Sequence, residues 1–188
     1  MPSLPILQVP QLSLPGLNSE GFVLRGWRNT TLDVDAVWRA AHDPDISQYS
    51  TVGSATTPLR AAQWIESRTA SDRLDWAIAR QGEIFGRVSL AHIDATDGIA
   101  EVGYWLLSEH RGRGIASAAV RTVERHAFGS LGLARLVIRH EPPNMRSCLL
   151  AERRGYLAEG TVRSAFVRDG ERRDLHVHAR LATDPPVR

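Results

Sequence analysis

Glu101-Val102-Gly103-Tyr104-Trp105-Leu106-Leu107-Ser108-Glu109-His110-Arg111-Gly112-Arg113-Gly114-Ile115-Ala116 is the stretch whose reading decides the fold. Its opening seven residues read as a strand. From Gly114 to Phe128 the residues Ala116, Ala119, Val120, Val123 and Ala127 recur at helical spacing. A strand therefore runs through a glycine-rich turn into a helix. Such a junction leaves backbone N–H groups unpaired at the positive end of the helix dipole, where phosphate is attracted. Taken alone, glycines at a loop–helix junction serve geometry as often as binding. The absence of a following Gly-Lys-Ser/Thr argues against a P-loop, and the lack of a third glycine or alanine at the required offset argues against a dinucleotide fingerprint.

On the C-terminal side, Leu136 to Arg139 is short and β-branched, so the order turns to strand, helix, strand. Asn144, preceded by Pro142-Pro143, is a good N-cap, and Gly155 a good residue to end a helix of about three turns between them. Val162 to Arg168 and Arg172 to Leu181 flank Asp169-Gly170, a strong hairpin signal because both turn positions favour positive φ. On the N-terminal side, Ile99 to Leu107, Ile84 to Asp94 and Leu74 to Arg80 read as a meander, with Gln81-Gly82-Glu83 as one of its turns. A helix is predicted after Pro58, with Ala61, Ala62 and Ile65 on one side and Ser71-Asp72 marking its stop. Another covers Leu32 to Asp43, with N-cap candidates in Asn29 to Thr31, and Phe22 to Arg28 is a short strand.

The pattern predicts an α+β domain over residues 20–182, with a proline-spaced extension at 1–19 and a tail at 183–188. At 188 residues, with 43% apolar and 23% charged residues, the chain suits one globular domain. Pro2, Pro5, Pro10 and Pro15 interrupt the apolar N-terminal stretch, which also lacks the positive start of a signal peptide. No apolar run is long enough for a membrane helix. Every one of the 23 basic residues is Arg, but acids are interspersed and the net charge is only +2, so nucleic acid ranks low as a partner. Cys148 is the sole cysteine, so no intrachain disulfide forms and a cytoplasmic location is expected.

With Arg111-x-x-Gly114-x-Ala116 following a Gly-Tyr-Trp-Leu strand, the chain resembles the GNAT N-acetyltransferases, and within them the RimJ/RimL-like branch that acetylates ribosomal-protein N-termini. Phe22-Val23-Leu24-Arg25, Asn144-x-x-Ser147, Arg154-Gly155-Tyr156, Gly170 and Arg173-Asp174 extend the resemblance over about residues 20 to 182. The resemblance implies a mixed, mostly antiparallel sheet of about seven strands, flanked by helices, with a V-shaped splay between strands 4 and 5. It implies that acetyl-coenzyme A lies in the splay, with pantetheine in the wedge and pyrophosphate on the turn Arg111, Gly112, Arg113, Gly114, Ile115, Ala116 and Ser117. The strand ending at Trp105, Leu106 and Leu107 would offer a backbone N–H to the thioester carbonyl.

Asn144 would bond the pantetheine arm or cap its helix. Ser147 would stand near the coenzyme sulfur and solvate or protonate the departing thiolate, or bond only its own backbone. In this branch the acid matching Glu101 acts as a base through water; on an alternating strand the same carboxylate can be simply an outward charge. His110 and Glu141 are weaker candidates, and Tyr49 and Trp64 fall in the acceptor wall. His176 and His178 share a strand face and could bind metal, but no further ligand is visible in sequence to complete a set, so no metal site is expected. Cys148 reads as an inert core thiol.

The resulting expectation is direct transfer of an acetyl group from acetyl-coenzyme A to a primary amine, on a protein N-terminus or small molecule, in a ternary complex of a monomer or homodimer. A catalytically silent acyl-coenzyme A sensor, a transferase for a larger acyl group such as succinyl, and a basic module for RNA or ribosomal surface remain as alternatives.

Overall fold

The computed structural model describes residues 8–14, 21–69 and 72–187. Pro2, Pro5, Pro15 and Ser71, which carry part of the expectations for the extension and the first helices, lie outside them. The strands are β1 (Leu12–Ser13), β2 (Val23–Gly26), β3 (Leu74–Arg80), β4 (Glu83–Asp94), β5 (Ile99–Leu106), β6 (Arg135–His140), β7 (Leu157–Arg168) and β8 (Glu171–Leu181). They form one eight-stranded sheet in the order β1-β2-β3-β4-β5-β6-β8-β7. The helices are α1 (Thr31–His42), α2 (Pro44–Ser47), α3 (Pro58–Glu66), α4 (Ile115–Arg125) and α5 (Met145–Arg153).

The sheet is α+β and mixed, as predicted, but has eight strands instead of about seven. The additional one is β1, which pairs Leu12 with Leu24 and Ser13 with Val23. Trp76 Nε1 donates to the Pro10 carbonyl at 2.7 Å, and Leu14 is buried in the core. Residues 8–14 of the expected extension thus complete a sheet edge, and the splay falls between the fifth and sixth strands. A two-residue strand beside three prolines has no periodicity by which to be recognised.

Helices cover both faces. One core packs Ile115, Ala119, Val123 and Tyr156 against Trp76, Val88, Val102 and Leu136. The other packs Ala36, Val37, Trp64 and Ile65 of α1 and α3 against Ala77, Ala79 and Trp105. With both faces covered, β3 is buried from Leu74 to Ala79, which is why its sequence does not alternate. A buried Asp75 carboxylate takes both arms of Arg87 at 2.8 and 2.5 Å and the Trp27 Nε1 proton at 3.0 Å. Asp33, fully buried in the first turn of α1, receives two bonds from Arg25 and one from the Arg28 backbone, fixing β2 to that helix.

Local chemistry sets the boundaries. Thr30 and Thr57 cap α1 and α3 through their hydroxyls, and Pro58 occupies the first position of α3. Gln81-Gly82 and Asp169-Gly170 both take positive φ as two-residue hairpin turns. The helix predicted through Phe128 gives way at His126 to one π turn ending at Ser130. Strand β7 begins at Leu157, earlier than Val162, because this edge strand is exposed and twice loses register, so no alternation betrays it.

Strands β5 and β6 lie parallel for three pairs only: Ile99 with Arg135, Ala100 with Leu136 and Glu101 with Val137. Beyond Glu101 they part. Strand β5 continues against β4 to Leu106, with Leu106 opposite Gly86. A Cβ at Gly86 would stand 2.2 Å from the Trp105 carbonyl oxygen and 2.9 Å from Leu106 Cα, so the approach of β4 to β5 requires glycine. Gly86→Ala should therefore destabilise the protein by about 1–3 kcal/mol in urea titration, with the native far-UV spectrum retained.

Candidate active site

The gap between β5 and β6 is lined by backbone, and strand alternation decides which groups face it. Leu107 N–H donates to Phe85 O at 3.0 Å, toward β4. Its predecessor Leu106 therefore directs both N–H and C=O to the opposite, unpaired edge. The Leu106 carbonyl there accepts Arg111 Nε at 3.0 Å. Of Trp105, Leu106 and Leu107, it is thus Leu106 whose N–H faces the gap. The Trp105 and Leu106 side chains are buried in the two cores, on opposite sides of the sheet.

At the mouth of the gap the chain turns through Gly112 and Gly114, with φ of 75° and 74°. A Cβ on either would meet nothing within 4 Å. Gly114 caps α4 without a side-chain bond, so the N–H groups of Ile115, Ala116 and Ser117, which have no intrahelical carbonyl to reach, are left as an anion site. Arg113 beside them is exposed. Ile115 is buried, so only its backbone can serve a ligand. Open space, positive φ and an uncapped helix on one turn fit a pyrophosphate.

Arg111 does something the sequence did not disclose. Besides Leu106 O, its guanidinium bonds Asp43 Oδ2 at 2.5 Å and Asp45 Oδ2 at 2.8 Å, so its charge is neutralised by α2 and its segment is anchored there. Asp45 also takes Arg146 of α5 at 2.5 Å, an ion pair that holds its carboxyl below the ordinary carboxylate range. Beside this tie, Trp38, His42, Leu107 and Glu109 help to line a cleft of about 610 Å³.

Asn144 caps α5, its Oδ1 accepting Ser147 N–H at 3.2 Å, a bond that does not use the amide NH2. Ser147 is half-buried in the first turn. Tyr104 reaches across from β5 and donates its hydroxyl to the Ser147 carbonyl at 3.4 Å. Burial raises the Tyr104 pKa to about 12, so the phenol keeps its proton at any working pH. Sequence spacing marked Tyr104 only as part of a strand; its place across the gap from α5 is a tertiary fact.

Glu101 sits at the last paired rung, half-buried, and meets Arg139 of β6 at 3.3 Å. It shares a strand face with Gly103 and Trp105, the face covered by α1 and α3. Glu141 is buried and bonded by Arg168, which also reaches Gln48 O and so joins β7 to the end of α2. His110 packs on Phe85 of β4 with the rings tilted and their centres 4.0 Å apart, and burial lowers its pKa. Trp64 is buried with Ile65 in the core under α1 and α3, and Tyr49 is half-buried just after α2. His178 is buried against His140 and Cys148, two partners that the strand pattern could not supply.

Residues 22–156 match the family model described as the acetyltransferase (GNAT) domain. The chain belongs to this family. A Bacillus subtilis (strain 168) protein that carries the name of a ribosomal N-acetyltransferase, YdaF, is 31% identical over 118 residues, covering 63% of this chain and 64% of its own. The ribosomal-protein-serine acetyltransferase of Escherichia coli (strain K12) is 33% identical over 104 residues, covering 55% of this chain and 58% of its own. The chain thus spans about three fifths of the length of these two relatives. In fold it is similar to RimL, a ribosomal α-N-protein acetyltransferase solved in complex with coenzyme A, with TM-score 0.77 and 21% identity over 87% of this chain and 95% of that one.

A branched side chain at Gly114 would project into the space before α4 and strain a left-handed residue by about 1–2 kcal/mol. Gly114→Val should weaken coenzyme A binding at least about tenfold by isothermal titration, a loss of about 1.4 kcal/mol. A Tm drop without weaker binding would place the pyrophosphate elsewhere.

Proposed function

We propose that this chain transfers an acetyl group from acetyl-coenzyme A to a primary amine in a ternary complex, in the cytoplasm, with an α-amine as the preferred acceptor. The observation that carries the reading is the unpaired edge of β5, where Leu106 N–H faces the gap that ends at the uncapped N-terminus of α4. When bound, acetyl-coenzyme A supplies an activated thioester, whose carbonyl the neutral amine attacks as the thiolate departs.

Each residue then has a task. Leu106 N–H stabilises charge developing on the carbonyl oxygen, from a strand that cannot retreat because β4 holds it. The turn from Gly112 to Ser117 holds the pyrophosphate through backbone N–H groups, and Arg111 secures that turn rather than the phosphate. Asn144 offers its amide to the pantetheine arm while its carbonyl oxygen caps α5. The Ser147 hydroxyl solvates the leaving sulfur, and the protonated Tyr104 hydroxyl, donating to the Ser147 carbonyl, holds that turn against β5. Glu101, on the face under α1 and α3, takes the ammonium proton through water, with Arg139 orienting its carboxylate.

The acceptor class follows from proton chemistry together with the relatives' names. An α-amine with pKa near 7.7–8.0 is already partly neutral in the cell, whereas a lysine amine near 10.4 needs a stronger base than a solvated carboxylate. The RimL-like relatives act on ribosomal protein, which supports a protein N-terminus as the first acceptor to test.

A thiol-release assay over N-terminal peptides and small amines should show turnover with α-amines first. Binding of coenzyme without release on any amine would leave an acyl-coenzyme A sensor. Glu101→Gln should lower kcat about tenfold near neutral pH, with the deficit shrinking as pH rises through the acceptor's own pKa. Ser147→Ala should lower kcat while leaving the coenzyme A Kd within about twofold, because its backbone remains and only the hydroxyl is lost.

A further inference from the structure

At the first turn of α5 three potential ligands converge. His140 ends β6, His178 belongs to the paired strand β8, and Cys148 follows Ser147 on α5. Their ligand atoms lie within 4.8 Å of one another. His140 Nε2 is 3.1 Å from His178 Nε2, and Cys148 Sγ is 3.9 Å from the same atom. The two rings stand with centres 5.1 Å apart, so they approach most closely at their Nε2 corners. A tetrahedral ion with Zn–N near 2.0–2.1 Å and Zn–S near 2.3 Å would separate two nitrogens by about 3.3 Å and a nitrogen from a sulfur by about 3.6 Å. The two distances to His178 Nε2 are within a few tenths of an ångström of these, and the third pair, His140 Nε2 and Cys148 Sγ, lies within 4.8 Å, so a small rotation of the half-exposed Cys148 side chain closes the site.

The surroundings prepare the first ligand. His140 Nδ1 lies 2.8 Å from the Glu141 carbonyl, to which it can only donate, so the neutral ring presents a bare Nε2 to the cluster. His178 is nearly fully buried, its Nδ1 has no partner among the described residues, and in the metal-free protein its Nε2–H donates to the bare His140 Nε2. Moving that proton to Nδ1 frees Nε2, at the cost of one buried N–H without an acceptor, which lowers affinity without moving the site. Cys148 is half-exposed and provides access from solvent. Glu152, one helical turn on, accepts from the Cys148 thiol with Oε1 3.6 Å from Sγ and stands outside the three-atom cluster, so it would have to turn inward to take the fourth position that water can otherwise fill.

We propose that His140 Nε2, His178 Nε2 and Cys148 Sγ form a binding site for a zinc-class divalent ion, with Glu152 or water as the fourth ligand. Binding forms two metal–nitrogen bonds and one metal–sulfur bond, and the Cys148 thiol gives up its proton to solvent. The ion takes no part in acetyl transfer. It fastens the first turn of α5, which carries Asn144 and Ser147, to β6 and β8.

Protein freed of metal with a chelator is titrated with Zn2+ and, separately, with Co2+, whose thiolate charge-transfer band in the near ultraviolet reports sulfur ligation. One ion should bind per chain, with that band, and Zn2+ should raise Tm. Cys148→Ser, at a half-exposed position, should fold with unchanged metal-free Tm, lose the band and weaken binding at least about tenfold, as loss of a ligand requires. His178→Gln should do the same, while His176→Gln, outside the cluster, should bind as the parent does. Absence of the charge-transfer band in the parent protein, or equal Zn2+ affinity in Cys148→Ser, would overturn the proposal whatever the fate of His178→Gln. The readout is independent of catalysis, so failure of the transferase reading leaves it standing.

Discussion

The structure depends on the early parting of two parallel strands. Strands β5 and β6 are joined over three residue pairs and then diverge, although each continues for several residues. A strand edge inside a folded protein normally finds a partner, because an unpaired backbone group away from water is costly. Here the edge of β5 finds none from β6, and its Leu106 N–H is left for a ligand. Pairing with β4 on the other side, closed up at Gly86, keeps that edge in place. An extended ligand can then enter as the missing strand would, its polar groups meeting main-chain groups of fixed direction.

Arginine forks fix the parts that surround this gap. Arg111 joins the turn before α4 to two carboxylates of the α2 region, Arg146 joins α5 to one of the same carboxylates, and Arg168 joins β7 to Gln48 and Glu141. Each connects segments that are distant in sequence. A planar guanidinium can satisfy two acceptors in one geometry, which a single ammonium does less well. In a chain whose cationic side chains are all Arg, apart from histidine, loops around the site can be positioned without a larger core. Glu124 plays the reverse part behind the site, as one buried carboxylate accepting both Arg154 and Arg180 and so holding the end of α5 to β8.

Legibility varied with the physics of each element. The meander, α4 and the Asp169-Gly170 hairpin were readable because periodicity and turn chemistry are local properties. Strand β1 and the first part of β7 were not, one for want of length and the other because an exposed, bulged edge needs no alternation. Arg111 stood inside the glycine-rich motif and invited a phosphate role, yet its side chain turns to Asp43 and Asp45. His178 was weighed with His176, its neighbour on one strand face, whereas its close partners come from β6 and α5.

The sequence by itself determined the order of the elements from β2 onward apart from the short α2, the glycine-rich turn that opens α4 and the family to which the chain belongs, since all of these rest on short-range spacing and backbone preference. Only the tertiary structure decided that Leu106, among three consecutive candidates, turns its N–H to the gap, that Glu101 faces Arg139, and that His140, Cys148 and His178 meet. The reason is common to all three. Strand register and helix docking choose which of several equivalent groups point the same way, and that choice depends on pairings between residues far apart in the chain.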